Sequence, residues 1–210
     1  MKKDGIEVPE NWEVKALNKV AKIIVSNVDK KSDEEEIKVR LCNYMDVYAN
    51  REITKEILFM EATATAEEVE KFKLKVNDVI ITKDSESPDD IAVPTVVKET
   101  FENLVCGYHL ALLRPNDDLN GYFLMLQFLQ YNAKVHFGSL ASGSTRFGLS
   151  LGTIQNFKII VPEIKEQELI VERISSIDIL IEQEKINLNK YRSLKTGLMQ
   201  DLLNGKIRVR

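Results

Sequence analysis

The sequence predicts an α+β protein: one globular domain followed by a long C-terminal coiled-coil helix. Three observations predict this. After Pro162 there is no further proline, and Gly197 is the one glycine before Asn204. Apolar residues in that stretch recur at heptad spacing. Upstream, short alternating or continuous apolar runs are separated by polar loops, the pattern of strands mixed with short helices. At 210 residues the chain has room for one sizeable domain plus an appendage, or two small domains. The boundary is placed at Pro162, giving 1–162 and 163–210.

The elements follow in chain order. Val8 to Leu17 reads as an extended lead-in with Trp12 as a core anchor. A short helix is expected next, with Leu17, Val20, Ala21 and Ile24 on one face. Asp29 to Glu36 is a charged loop, and Ile37-Lys38-Val39-Arg40-Leu41 alternates as a strand should. Within Asn43 to Tyr48, Asp46 has a turn or capping role. Ala62 to Phe72 reads as a short helix capped by Thr65, with acidic residues in its first turn. Leu74 to Thr82 is a turn into a buried strand that delivers the polar loop Lys83 to Ile91. Two apolar strands are expected near Val93 to Val97 and Leu104 to Arg114. Asp117-Asp118 then cap a core helix from Leu119 to Val135, apolar on both faces. A loop of small hydroxyl residues and glycines, Gly138 to Ser150, leads to a last strand, Phe157 to Val161.

The C-terminal helix carries two interleaved rows: Ile170, Ile177, Glu184, Tyr191, Leu198 and Ile174, Ile181, Leu188, Lys195, Leu202. At 1.5 Å per residue it is about 60 Å long, and Asn204-Gly205 ends it. Such a helix cannot bury its seam alone and needs a partner helix. Glu184 and Lys195 interrupt the seam in opposite rows. A parallel pair would set each against its own copy. An antiparallel homodimer centred between Asn189 and Lys190 pairs Glu184 with Lys195 twice and sets Leu188 against Tyr191.

Charge and composition narrow the function. The chain has 29 basic and 33 acidic residues, and the first 162 hold 20 and 25 of them. Phosphate attraction needs a local basic surface, and Leu119 to Pro162 has no Asp or Glu while keeping Lys134, Arg146 and Lys158. That window reads equally as a DNA-facing surface or as an uncharged core segment. Two cysteines, Cys42 and Cys106, fit a reduced cytoplasmic protein, and no apolar run approaches a membrane span. Met1-Lys2-Lys3 is not followed by the apolar core of a signal peptide. Neither the cysteines nor His109 and His136 have metal-ligand spacing. His109 lies in an apolar strand without a carboxylate and nucleophile around it, so it reads as a satisfied core histidine. No cofactor loop and no consecutive prolines are present, which argues against an adenine methyltransferase acting by itself.

Two loops carry donors suited to nucleic acid. Lys83, Ser85 and Ser87 can bond phosphates or base edges, though a solvated turn around Pro88 competes with that reading. Ser142, Ser144, Thr145 and Arg146 lie among glycines that let backbone approach a ligand, and the arginine can grip guanine or phosphate with two bonds. The same loop also reads as a plain connector, and it does not match a P-loop.

Several stretches carry a resemblance. Val161-Pro162-Glu163-Ile164-Lys165-Glu166-Gln167 with Ile170 is similar to the opening of one family's long helix, and Leu194 to Val209 resembles its closing signature. Val8-Pro9-Glu10-Asn11-Trp12, Asn43 to Tyr48 (similar to its strand-turn region), Asp78 to Pro88, Cys106 to Ala111 and Gly138 to Ser150 also resemble its recognition domain. The family is the DNA-specificity (S) subunits of type I restriction–modification systems. The resemblance implies a non-catalytic, cytoplasmic target-recognition domain that reads double-stranded DNA for methyltransferase (M) and, in the full complex, restriction (R) subunits. It implies no cofactor of its own. The M partner would use S-adenosylmethionine, and the R partner ATP and Mg. S subunits commonly carry two recognition domains and two long helices, head to tail, and this sequence has one of each. A half-size subunit is therefore expected, dimerising through Ile174, Ile177, Ile181, Glu184, Leu188, Tyr191, Lys195, Leu198 and Leu202. A truncated longer product is the alternative. Two other classes stay open: a coiled-coil adaptor that binds no DNA, and an acidic inhibitor of a DNA-binding partner.

Overall fold

The computed structural model describes residues 2–3, 5–30 and 33–209. The expected charged loop over 29–36 is thus described except at Lys31 and Ser32, and the N-terminal Met1 also lies outside the described residues. The chain divides into two compact units, one ending at Glu168 and one starting at Leu169.

In the first unit, β1 (Lys2–Lys3) and β2 (Ile6–Glu7) form a short hairpin. β3 (Glu13–Ala16) leads through a 3-10 turn at Leu17–Lys19 into β4 (Ala21–Val25). β5 (Ile37–Cys42), α1 (Tyr44–Ala49), β6 (Glu52–Ile53), β7 (Met60–Ala64) and α2 (Ala66–Phe72) follow. Then come β8 (Val79–Thr82), β9 (Asp84–Ser85), a 3-10 turn at Pro88–Asp90 and β10 (Pro94–Val97). β11 (Leu104–Cys106), β12 (Leu110–Pro115), α3 (Gly121–Phe128) and α4 (Tyr131–Leu140) come next. The first unit closes with β13 (Phe147–Gly148), α5 (Leu151–Asn156), β14 (Lys158–Val161) and the start of α6 (Ile164–Leu203), which from Leu169 onward belongs to the second unit.

Two sheets make the framework: a five-stranded one in the order β4-β12-β8-β10-β6 and a three-stranded one in the order β11-β5-β7. One buried cluster draws on both, with Ile80, Leu110 and Leu112 from the first and Leu41, Ala62 and Leu104 from the second. Strand side chains alternate, so Val79, Ile81, Ala111 and Leu113 face the other way, toward the side that α3 covers. Burial on both faces explains why β8 and β12 read as continuous apolar runs. Behind α3, Phe128, Phe137 and Phe157 pack with ring centroids 4.6–5.3 Å apart. Gln127 completes the edge of β14: its amide donates to the Ile160 carbonyl at 3.0 Å and accepts from the Ile160 N–H at 2.8 Å.

Several expectations are corrected. The helix expected over 17–24 is a 3-10 turn and a strand. Leu17, Val20, Ala21 and Ile24 are all buried as expected, but β-branched Ile23, Ile24 and Val25 enter a ladder with β12. Thr65 caps α2 by accepting from the Glu68 N–H, but Met60–Ala64 before it is a strand on β5. The expected strand over 104–114 is two strands in different sheets, broken where His109 adopts a φ of 69°. The expected helix over 119–135 is capped by Asn120 instead of Asp117-Asp118, breaks at Leu129–Gln130 and continues to Leu140. Where the resemblance implies a strand and turn, Tyr44–Ala49 form a helix capped at Asn43, whose N–H donates to Asp46 at 2.7 Å in a capping box. α5 lies past the stretch expected as loop, between Ser150, which caps it, and the last strand.

Candidate nucleic-acid interface

Two segments roughly sixty residues apart in sequence meet at one edge of the first unit. β9 pairs antiparallel with β13, setting Ser85 against Phe147 and Asp84 against Gly148. The Leu149 N–H donates to the Lys83 carbonyl at 2.9 Å and continues the ladder. Gly148 permits this approach, since a Cβ there would lie 2.9 Å from an Asp84 carboxylate oxygen. Ser142 and Gly148 exchange two backbone bonds of 3.1 and 2.9 Å, which ties residues 142–148 into a closed loop. Gly143, at φ 150°, makes the bend, and a side chain there would collide with the Arg146 carbonyl. Ser142, Ser144, Thr145 and Arg146 are held exposed at the tip.

Arg146 borders a cleft of about 1010 Å³ that also takes in Ser85, Ser87, Lys30, Tyr44, Tyr48 and His109. Among the described residues Arg146 has no hydrogen-bond or ion-pair partner, so its guanidinium donors are uncommitted. The three candidates of the other loop are engaged within the domain. The Lys83 ammonium sits 2.9 Å from Asp84 with its side chain one-fifth exposed. Ser85 is buried, and its hydroxyl accepts from the Ser87 N–H at 3.2 Å. The Ser87 hydroxyl accepts from the Asp89 N–H at 3.3 Å, capping the turn at Pro88.

The cleft holds residues the sequence reading did not single out. Tyr44 and Tyr48 stack one turn apart on α1, with ring centroids 5.8 Å apart. The Tyr48 hydroxyl donates to Asp90 at 2.7 Å, which raises its pKa. Burial raises the pKa of Tyr44, and its hydrogen bond to Ser85 only partly offsets this. His109 is not the core histidine expected. It is about a quarter exposed, and its Nδ1 lies 2.6 Å from an Asp84 carboxylate oxygen. Burial opposes ionisation of Asp84, but hydrogen bonds from Lys83 and His109 outweigh it and hold the carboxyl below its ordinary range. Tyr44 and Tyr48 were discoverable from their spacing of four, had the segment been read as a helix. His109 and Asp84 meet only through the sheet.

Asp29, Asp46, Asp84, Glu86 and Asp90 border the cleft, against Lys30 and Arg146. Such a surface repels phosphate overall, whereas carboxylates, tyrosines and an arginine fork suit the donors and acceptors of base edges. Among the described residues no three His, Cys, Asp or Glu side chains gather as a metal site.

The second unit is the body of α6. Ile174, Ile177, Ile181, Leu188, Tyr191, Leu198 and Leu202 are all exposed along it. Leu180 and Leu194, also exposed, lie beside the two rows and widen the apolar face. Gly205 at φ 67° ends the helix, and the Lys206 N–H donates back to the Asp201 carbonyl at 2.9 Å.

The family model for the type I restriction modification DNA specificity domain matches residues 9–190. The chain belongs to this family. This specificity-domain chain is 23% identical over 198 residues to the MjaX specificity-subunit sequence of Methanocaldococcus jannaschii, covering 93% of the chain and 46% of that relative. It is 24% identical over 205 residues to the type I restriction enzyme MjaVIII specificity subunit of the same organism, covering 97% and 48%. It thus spans about half the length of the curated relatives it matches. Two solved structures share its fold. One, from a study of complex assembly and conformational transition of the type I R-M system, gives a TM-score of 0.69 at 20% identity, covering 96% of this chain and 47% of that one. The other, the HsdS subunit from Thermoanaerobacter tengcongensis, gives 0.63 at 17%, covering 94% and 46%. No described helix is long and apolar enough to cross a membrane.

Proposed function

We propose that this specificity-domain chain reads a DNA sequence on behalf of a methyltransferase, with no chemistry of its own. The observation that carries the reading is the β9–β13 clasp, which holds the uncommitted Arg146 at the mouth of a cleft lined by tyrosines and carboxylates. Arg146 grips a base edge, the hydroxyls of Ser142, Ser144 and Thr145 reach neighbouring backbone, and Lys83 fixes the charge state of Asp84. The acidic domain gives the lone chain weak affinity, and tight binding arises with the positive surface of M subunits. M supplies S-adenosylmethionine chemistry, and R subunits, where they join, supply ATP- and Mg-dependent cleavage. Two chains pair antiparallel through α6, as opposite charges at Glu184 and Lys195 favour, so the target is two inverted half-sites with a spacer.

The test is a mobility shift with the chain, the methyltransferase of its own cell, and a randomised duplex pool. Joint binding is expected, with Arg146→Ala costing about 1–3 kcal/mol and relaxing one position. Competition between chain and DNA would mark an acidic inhibitor, and methyltransferase binding without any DNA shift an adaptor. An Arg146→Ala protein of unchanged affinity and specificity would remove Arg146 from the interface.

A further inference from the structure

Resting on the DNA-reading assignment above, we propose that His109 sets specificity at one base pair by accepting, through Nε2, a hydrogen bond from the exocyclic amine of adenine or cytosine. The ring is fixed on several sides. Its Nδ1 lies 2.6 Å from Asp84, its centroid lies 3.9 Å from that of Tyr108, and its own carbonyl accepts from the Lys83 N–H at 2.9 Å. The backbone is held at φ 69°, a left-handed conformation uncommon outside glycine, and strain of this kind concentrates at functional sites.

Asp84 decides the ring's polarity. With the Lys83 ammonium 2.9 Å from its other oxygen, the carboxylate accepts only, so in the neutral imidazole the proton sits on Nδ1 and Nε2 is left as an acceptor. Among the described residues nothing bonds to Nε2, and the fold makes no use of it. His109 borders the same cleft as Arg146, whose fork donates. An acceptor and a donor bordering one cleft are what amino bases and keto bases need to be told apart in the major groove. The carboxylates around the cleft disfavour phosphate as the occupant of this position.

The test selects randomised duplexes with the full chain and its methyltransferase. His109→Asn keeps a residue that tolerates left-handed backbone and removes the imidazole. One position, specified as adenine or cytosine on one strand, should lose about tenfold discrimination while the others keep theirs. Duplexes with purine in place of that adenine, or a pyrimidinone in place of that cytosine, lack only the amine. They should bind the wild-type complex about tenfold more weakly and the His109→Asn complex without loss, and the analogue that acts names the base. Asp84→Ala should flatten the same position, because no acceptor then holds the proton on Nδ1. An unchanged motif in His109→Asn, uniform weakening at all positions, or full wild-type affinity for the amine-free duplexes overturns the proposal and leaves DNA recognition standing. The last arm uses no variant, so it decides even where a substituted chain fails to fold. A wild-type complex that selects no motif overturns both.

Discussion

Asp84 holds Lys83 at 2.9 Å through one carboxylate oxygen and His109 at 2.6 Å through the other. Its pKa in the folded chain is lowered, so the sign of its contribution is fixed: the stabilisation is fully present above the unfolded carboxylate value, about 3.9, and is lost as pH falls through the lower folded value. Acid unfolding of the wild type should therefore fall more steeply over that window than that of Asp84→Asn. Parallel denaturant titrations at stepped pH check this, and identical slopes would show that the pair contributes nothing. These residues are invisible to sequence reading for a plain reason. Asp84 and His109 lie 25 positions apart and meet only because β8 pairs with β12. Local spacing carries no trace of such a pair, so His109 looked like one apolar-strand residue among others.

At the scale of elements, the parts legible in the sequence were those fixed locally. Thr65 at the start of α2, the alternation of β5 and the proline-free run of α6 each follow from propensity and period. Tertiary context overrode the rest: residues 17–24 have helical spacing, yet the ladder with β12 makes the second half a strand. The loop candidates around Arg146 were legible by composition, but their closure against β9 was not. One element boundary shows how a single side chain can hold an elaborate junction. Gln167, fully buried, accepts from the Asn120 N–H at 2.9 Å and donates to the Asp118 and Pro162 carbonyls at 2.8 Å each. Gln167→Leu leaves these backbone groups without their partner and should lower unfolding free energy by about 1–3 kcal/mol per stranded group, up to the limit that water entry relieves. Chemical denaturation measures it, and a change within 0.5 kcal/mol, about the noise of a surface substitution, would mean solvent replaces the amide.

For the whole molecule, the proposed pairing rests on the exposed rows of α6 and on the opposite charges of Glu184 and Lys195. Lys195→Glu should weaken an antiparallel dimer, and adding Glu184→Lys should restore it, as read by sedimentation across a concentration series. Disulfide trapping gives the orientation: Leu188→Cys should link to Tyr191→Cys and not to its own copy. A monomer in the assembled enzyme would leave the inverted-repeat target without its physical basis.

The proposed role is that this specificity-domain chain chooses a DNA sequence for a methyltransferase. Single-molecule sequencing of modified bases, in the native cell with the chain intact and with it deleted, tests that claim most directly. One two-part motif, inverted about a spacer, should be methylated in the first and unmethylated in the second. An identical set of methylated motifs in both would contradict it.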